Sequence, residues 1–171
     1  ADPQMTFEEA SARRDFTVNS IGFDPIRQQW LDPHRGQEDL KKGILRHVGP
    51  AFAEDPLRVL RGAQFAARLN FQLAPETLEL CQTLDLNELS RERLLGEFAK
   101  LLLRAERPSI GLEILRQTKA LRFFPELEAL IDVPQDPTWH PEGCVWTHTL
   151  MVVDEAAKLR VSEEKADLVL M

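Results

Sequence analysis

Apolar positions follow one pattern in the first fifty residues and another in the rest. Residues 16–23, Phe-Thr-Val-Asn-Ser-Ile-Gly-Phe, are rich in β-branched and aromatic side chains. Such side chains suit a pleated, half-buried surface, so this stretch predicts a strand. Asp24-Pro25 breaks it, and residues 28–32 predict a second short strand, which makes a hairpin at a sheet edge. His34-Arg35-Gly36 reads as a loop, 37–42 as a short helix ended by Gly43, and 44–48 as a further strand. From Asp55 onward the apolar spacing is helical. Asp55 is a good N-cap and Pro56 a good first-turn residue, and the helix is expected to reach Leu69, with Asn70 as a left-handed stop. Pro75 opens a second helix through Gln82, and Ser90 caps a third over 91–104. Arg107-Pro108 breaks the chain before a fourth helix over 109–118. Pro125, Pro134, Pro137 and Pro141 mark an irregular linker, and a last helix begins near Thr147. The fold class this predicts is mostly α with a short β-hairpin.

Composition narrows the setting. The 171 residues suit one or two small domains. A chain of about this length hides roughly 70% of its unfolded surface, enough for a real core. No apolar run approaches the ~20 residues needed to span a bilayer, and no basic-then-apolar leader suggests export. Cys81 and Cys144 form no CxxC pair and read as free thiols of a reducing cytosol. The net charge of −7 is unevenly spread. Residues 1–122 hold 18 Lys+Arg against 18 Asp+Glu, whereas residues 123–171 hold 3 against 10. RNA phosphates would avoid the second part and can use arginines of the first. The chain does not start with Met and stops inside the helix-like run 166–171, so it is expected to be an internal piece.

Several short segments can carry chemistry. Asp55 and Arg58 stand three apart over one expected helix end, which sets an acceptor beside a donor. Cytosine and adenine present an amino donor beside a ring-nitrogen acceptor on their pairing edge; uracil and guanine present the reverse order. An Asp/Arg pair can therefore accept C and A and reject U and G. Taken alone, the same two residues are as well explained by a helix cap and a surface ion pair. Arg13-Arg14-Asp15 can hold a triphosphate or ribose, with Asp15 orienting one arginine, or can be a solvated strand entry. Residues 32–40 read as a turn into a helix, where Gly36 permits a tight backbone. Arg93 and Glu97, four apart, are expected to pair. His148, near a helix start, can be a metal ligand, but one imidazole is not a site.

In order, these segments resemble the class II tRNA nucleotidyltransferases and their poly(A) polymerase relatives. Arg13 to Ser20, Arg-Arg-Asp-Phe-Thr-Val-Asn-Ser, is similar to the family's RRDFTINA segment, which contacts ribose and phosphates. Residues 32–40 resemble its D-x-x-x-G-x-x-D-L hinge, residues 54–58 its EDxxR segment, and residues 90–97 its ERxxxE helix. The resemblance implies nucleotide binding by Arg13, Arg14, Asp15, Asn19, Asp55, Arg58, Arg61 and Arg93, with Asp55 and Arg58 as the template for the incoming base. It implies a division into the end of an α/β nucleotidyltransferase head (1–48), a nucleotide-selecting helical neck (49–106) and a helical body or linker (107–135). A fourth segment (136–171) is similar to the start of an HD-type phosphohydrolase domain. There His148 would align with the first ligand of a divalent transition metal, and the rest of the ligands are expected beyond Met171. In place of Cys144 that branch usually has an Asp.

The implied activity is addition of C and A to the tRNA 3′ end from CTP and ATP, by in-line attack of the 3′-hydroxyl on the α-phosphate. That chemistry needs Mg²⁺ held by a DxD pair. No D-x-D occurs in the chain, so Mg²⁺ is expected on residues outside it, and the chain alone is expected to be inactive. A poly(A) polymerase, an HD phosphohydrolase using the helices as scaffold, and a non-catalytic RNA-binding module are the alternatives. A cytoplasmic location without membrane association is expected.

Overall fold

The computed structural model describes residues 5–160; the helix-like run expected at 166–171 lies outside the described residues. Helix α1 (Phe7–Ser11) is closed at its start by a capping box between Thr6 and Glu9. The strand expected over 16–23 is mostly a turn. Thr17–Asn19 is a single 3-10 turn, and only Gly22–Asp24 (β1) is extended, paired antiparallel with Gln29–Leu31 (β2). Side-chain hydrogen bonds override β propensity here. The carboxylate of Asp15 accepts from the Phe16 N–H (2.7 Å) and Asn19 Nδ2 (3.0 Å), and Ser20 Oγ donates to the Thr17 carbonyl (2.6 Å).

Helix α2 (Gly36–Lys42) ends at Gly43 as expected, and Gly43 takes the left-handed conformation there. Gly36 has a different reason to be glycine: an added Cβ would sit 2.1 Å from the Thr17 carbonyl oxygen. The strand expected over 44–48 shrinks to Ile44–Leu45 (β3), parallel to Gln72–Leu73 (β4). The helix expected from Asp55 begins at Arg58 and runs to Leu69 (α3), with Asn70 left-handed at its end. Asp55 is thus not the N-cap; Leu57 holds that position, and Asp55 sits in the turn before it. α4 (Pro75–Thr83), α5 (Arg91–Arg104, capped by Ser90) and α6 (Pro108–Gln117) follow as expected. The proline-rich stretch contains the short α7 (Pro125–Glu128), and α8 spans Val145–Lys158.

α3 is the centre of the molecule, packed by both α5 and α6. Its small residues Ala63, Ala66 and Ala67 meet Leu101, Leu112 and Leu115 in one buried cluster. The same cluster includes Phe16 at one end and Trp146 of α8 at the other. Phe16 packs edge-on against Phe52 and Phe65, so the segment before α2 is tied to the start of α3. At the far end Asp154 of α8 accepts from the Ser109 N–H (2.9 Å) and hydroxyl (2.6 Å), capping the start of α6. Arg160 donates to the carbonyls of Leu102 and Ala105, closing the end of α5. Among the described residues no helix is long and apolar enough to cross a membrane.

Candidate nucleotide site and a histidine cluster

A cleft of about 610 Å³ opens where the Arg13–Asn19 segment, the entry to α3 and the first turn of α5 converge. Arg14, Asp15, Asn19, Asp55, Leu57, Arg58, Arg61, Phe65 and Arg93 line it. Seven of the eight expected nucleotide contacts are among them. The eighth, Arg13, is exposed and is not part of the lining; what it contributes is its backbone carbonyl, which accepts from Arg58 Nη2 (2.7 Å).

Apart from Arg14, the charged groups lining the cleft are held by partners distant in sequence. Asp15, 7% exposed, accepts from Arg61 Nε (2.8 Å) and Nη2 (2.6 Å) through one oxygen. The expectation that Asp15 orients Arg13 or Arg14 is therefore corrected: it orients Arg61, one helix away. Arg14 instead donates to the Asn19 carbonyl (2.6 Å). Behind Arg61 lies Glu97, buried, 3.8 Å from Arg61 Nη1 and bonded to Lys100 Nζ (2.8 Å). The expected Arg93–Glu97 pair does not form, because Arg93 reaches across to Asp55. Its Nη2 donates to both carboxylate oxygens, at 2.7 and 3.0 Å. Asp55 and Arg58 share the cleft, and the Arg58 N–H donates to the Asp55 carbonyl (3.0 Å), but their side chains are held by other groups. Arg58 donates to the Ala51 carbonyl (2.5 Å) and to that of Arg13, and its guanidinium lies over the Phe52 ring.

These bonds leave capacity for a ligand. Asp55 Oδ1 accepts from the Leu57 N–H (3.2 Å) and from Arg93, which fills its two lone pairs; Oδ2 accepts from Arg93 alone. One acceptor position on Oδ2 is left. Arg58 spends two of its five N–H groups on carbonyls. Four guanidinium groups against two carboxylates make the cleft cationic, which suits a polyphosphate. Leu57 and Phe65 were not anticipated as lining residues. Phe65 lies about two helical turns past Arg58 but carries the Arg61 guanidinium on its ring, 5.2 Å away.

The second feature surrounds His148. Residues 133–145 form a closed loop: the Gln135 N–H donates to the Gly143 carbonyl (3.0 Å) and the Val145 N–H to that of Val133 (2.9 Å). Gly143 turns it with φ +94°, a conformation that L side chains rarely adopt. The loop sets His140 and Glu142 against the first turn of α8. Glu142 Oε1 lies 2.5 Å from His148 Nδ1 and 3.2 Å from His140 Nδ1. The two imidazoles stand edge-to-face, 5.0 Å apart. Glu142's own backbone N–H, and then His148, hold its carboxyl below the usual carboxylate range. His148 therefore has two neighbours with donor atoms, which the single-histidine reading overlooked; the H-x-E-x₅-H spacing was the available signal.

Comparison with known proteins gives a consistent picture. Residues 2–46 match the poly A polymerase head domain, and residues 70–131 match the probable RNA and SrmB-binding site of polymerase A. The multifunctional CCA protein of Vibrio parahaemolyticus is 47% identical over 169 residues, covering 94% of this chain and 41% of that protein. Its counterpart in Nitrosococcus oceani is 48% identical over 164 residues, 93% of this chain and 40% of that one. Among solved structures, a tRNA nucleotidyltransferase complexed with a primer tRNA and an incoming ATP analogue superposes with a TM-score of 0.63 at 28% identity, over 99% of this chain and 54% of that one. The Bacillus stearothermophilus CCA-adding enzyme in complex with CTP gives a TM-score of 0.60 at 36% identity, over 64% of this chain and 29% of that one. The chain spans about two fifths of the length of the curated relatives it matches.

Proposed function

Because the chain belongs to the tRNA nucleotidyltransferase and poly(A) polymerase family, we propose that it is the base-selecting part of an enzyme that adds C and A to the tRNA 3′ end from CTP and ATP. The observation that carries this is the cationic cleft, in which Asp55 keeps one free acceptor position and Arg58 keeps free donors. An amino group of C or A donates to Asp55 Oδ2, and the adjoining ring nitrogen accepts from Arg58. U and G would set a carbonyl against the carboxylate, and each buried polar group so mismatched costs about 1–3 kcal/mol. Arg14, Asn19 and Arg61 face the ribose and phosphates, with Asp15 holding Arg61. Arg13 acts through its carbonyl, which fixes Arg58.

Mg²⁺ supplies charge neutralisation at the triphosphate in this chemistry. Asp15 and Asp55 are each committed to an arginine and fit that ion poorly, so its ligands are assigned outside this chain. Residues 1–48 are read as the end of the head, 49–106 as the neck, 107–135 as body and linker, and 136–171 as the start of an HD-type domain in which His148 binds a transition metal. The setting is cytoplasmic.

The test is incorporation of CTP and ATP into tRNA lacking its 3′ terminus, by the full-length protein. Addition of C, C and A is expected; A alone would mark a poly(A) polymerase. The relatives named multifunctional CCA proteins favour the first outcome. The 171-residue chain by itself is expected to release no pyrophosphate with Mg²⁺ and tRNA, and release above background would reveal catalytic carboxylates within it.

A further inference from the structure

We propose that His47 and Phe52 are positioning residues for Arg58, fixing the plane in which its guanidinium meets the incoming base. This rests on the reading of Arg58 as half of the base template and adds the two side chains that aim it. Arg58 spans two segments of chain: Nη1 donates to the Ala51 carbonyl (2.5 Å) and Nη2 to the Arg13 carbonyl (2.7 Å). Two such bonds fix two nitrogens but leave the plane free to tilt about the line that joins them. The Phe52 ring opposes that tilt, with the guanidinium carbon over it, 5.9 Å from the ring centroid. Phe52 follows Ala51 in the 3-10 turn Pro50–Glu54 and is fully buried. One residue thus supplies a carbonyl and the next supplies the platform.

His47 ties the two segments together. Its backbone pairs antiparallel with Phe16 of the Arg13–Asn19 segment, and its ring packs on Phe52, with centroids 5.6 Å apart and planes at 58°. Phe16 meets Phe52 as well, edge-on at 5.5 Å, so the platform is gripped by one ring from each flanking segment. The separation of the two carbonyls that Arg58 bridges is therefore set through His47. The imidazole is in turn anchored to α4. The fully buried Thr77 hydroxyl accepts from the His47 N–H (3.0 Å) and lies 2.8 Å from Nδ1. Burial, and then the adjacent Arg46, push the imidazole below its ordinary range, so the ring is held neutral. A neutral ring takes the Thr77 hydroxyl hydrogen on Nδ1 and keeps its own on Nε2. An imidazolium would instead set a second cation against the ring that carries Arg58.

Selection is measured on the full-length enzyme as the ratio of kcat/KM for CTP to that for UTP, with the thermal midpoint recorded alongside. His47→Leu and Phe52→Leu are each expected to lower the ratio roughly two- to tenfold, the range to which a cation–π contact corresponds. His47→Phe keeps a ring on Phe52 and is expected to hold the ratio near the parent's, while its midpoint falls with the loss of the Thr77 bond. In an Arg58→Lys background His47→Leu should lower the ratio no further, because the coupling runs through Arg58. His47 is half-buried, so its variants decide the matter if Phe52→Leu does not fold. If His47→Leu lowers the midpoint and leaves the ratio at the parent's value, His47 only packs and the proposal is overturned. An effect of His47→Leu that persists undiminished beside Arg58→Lys overturns it too. An Arg58→Lys enzyme that selects like the parent overturns the template reading, and this inference with it. Loss of selection in Arg58→Lys with none in His47→Leu overturns this inference alone.

Discussion

The carboxylate of Asp55 is clasped by the Arg93 guanidinium at 2.7 and 3.0 Å, across 38 residues of sequence. The pair joins the turn before α3 to the first turn of α5 and points the one free acceptor position of Asp55 into the cleft. Its partners are 32% and 48% exposed, so the pair contributes little to stability; exposed ion pairs are worth about 0–1 kcal/mol.

Asp55→Ala in the full-length enzyme is therefore expected to change selection more than stability. The loss of the Leu57 contact and the ion pair should lower stability by about 1 kcal/mol. Discrimination against UTP should fall by roughly 5- to 150-fold, which corresponds to about 1–3 kcal/mol of mismatched polar contact. Misincorporation and thermal midpoint are compared for mutant and parent. Unchanged selectivity with a large fall in midpoint would leave Asp55 with a purely structural role.

Arg58→Lys is expected to behave as a severe change. A lysine offers one compact charge and cannot bond the carbonyls of Ala51 and Arg13 while keeping a planar edge toward a base. kcat/KM for both CTP and ATP should drop by about tenfold or more, since a hydrogen bond to a charged group is worth about 1.5–3 kcal/mol. Near-normal incorporation of both nucleotides would remove Arg58 from the template.

Gly111→Ala tests the packing of α6 on α3. The added Cβ would stand 2.3 Å from Leu101 Cδ1 and 2.7 Å from the Ala63 carbonyl oxygen. The leucine tip can move, but the backbone oxygen of a central helix cannot. Destabilisation of about 1–3 kcal/mol is expected, read as a fall in thermal midpoint. A midpoint equal to the parent's would mean that the two helices are not held at this distance.

Cys81 should be inert in the folded protein. Burial pushes its thiol up to about 12, so at pH 8 roughly one molecule in ten thousand carries the thiolate. A thiol reagent followed by peptide mapping should label Cys81 only after denaturant is added. Labelling at native-state speed would show that α4 opens readily.

Local chemistry was enough to read much of this protein from its sequence. The capping serine at Ser90, the left-handed Asn70 and Gly43, and Pro75 and Pro108 at helix starts each act within one turn of chain, so α2 to α6 and their stops were legible. The hairpin was legible for the same reason, through Asp24-Pro25. The membership of the cleft was legible too, because four segments in order resemble one family, and seven of their eight expected residues line one space. Tertiary structure decided who partners whom. Spacing of three or four residues paired Asp55 with Arg58 and Arg93 with Glu97. In the fold Asp55 takes Arg93 and Asp15 takes Arg61, which leaves Glu97 to Lys100 on its own helix. A long side chain on a helix surface can reach either its own next turn or a neighbouring helix, and only packing of α3 against α5 settles which. Tertiary structure likewise turned 16–20 from strand to turn, because Phe16 is drawn into the core and Asp15 bonds the chain behind it. It also set His140 and Glu142 beside His148, through a loop whose closure depends on backbone bonds that no side-chain pattern encodes.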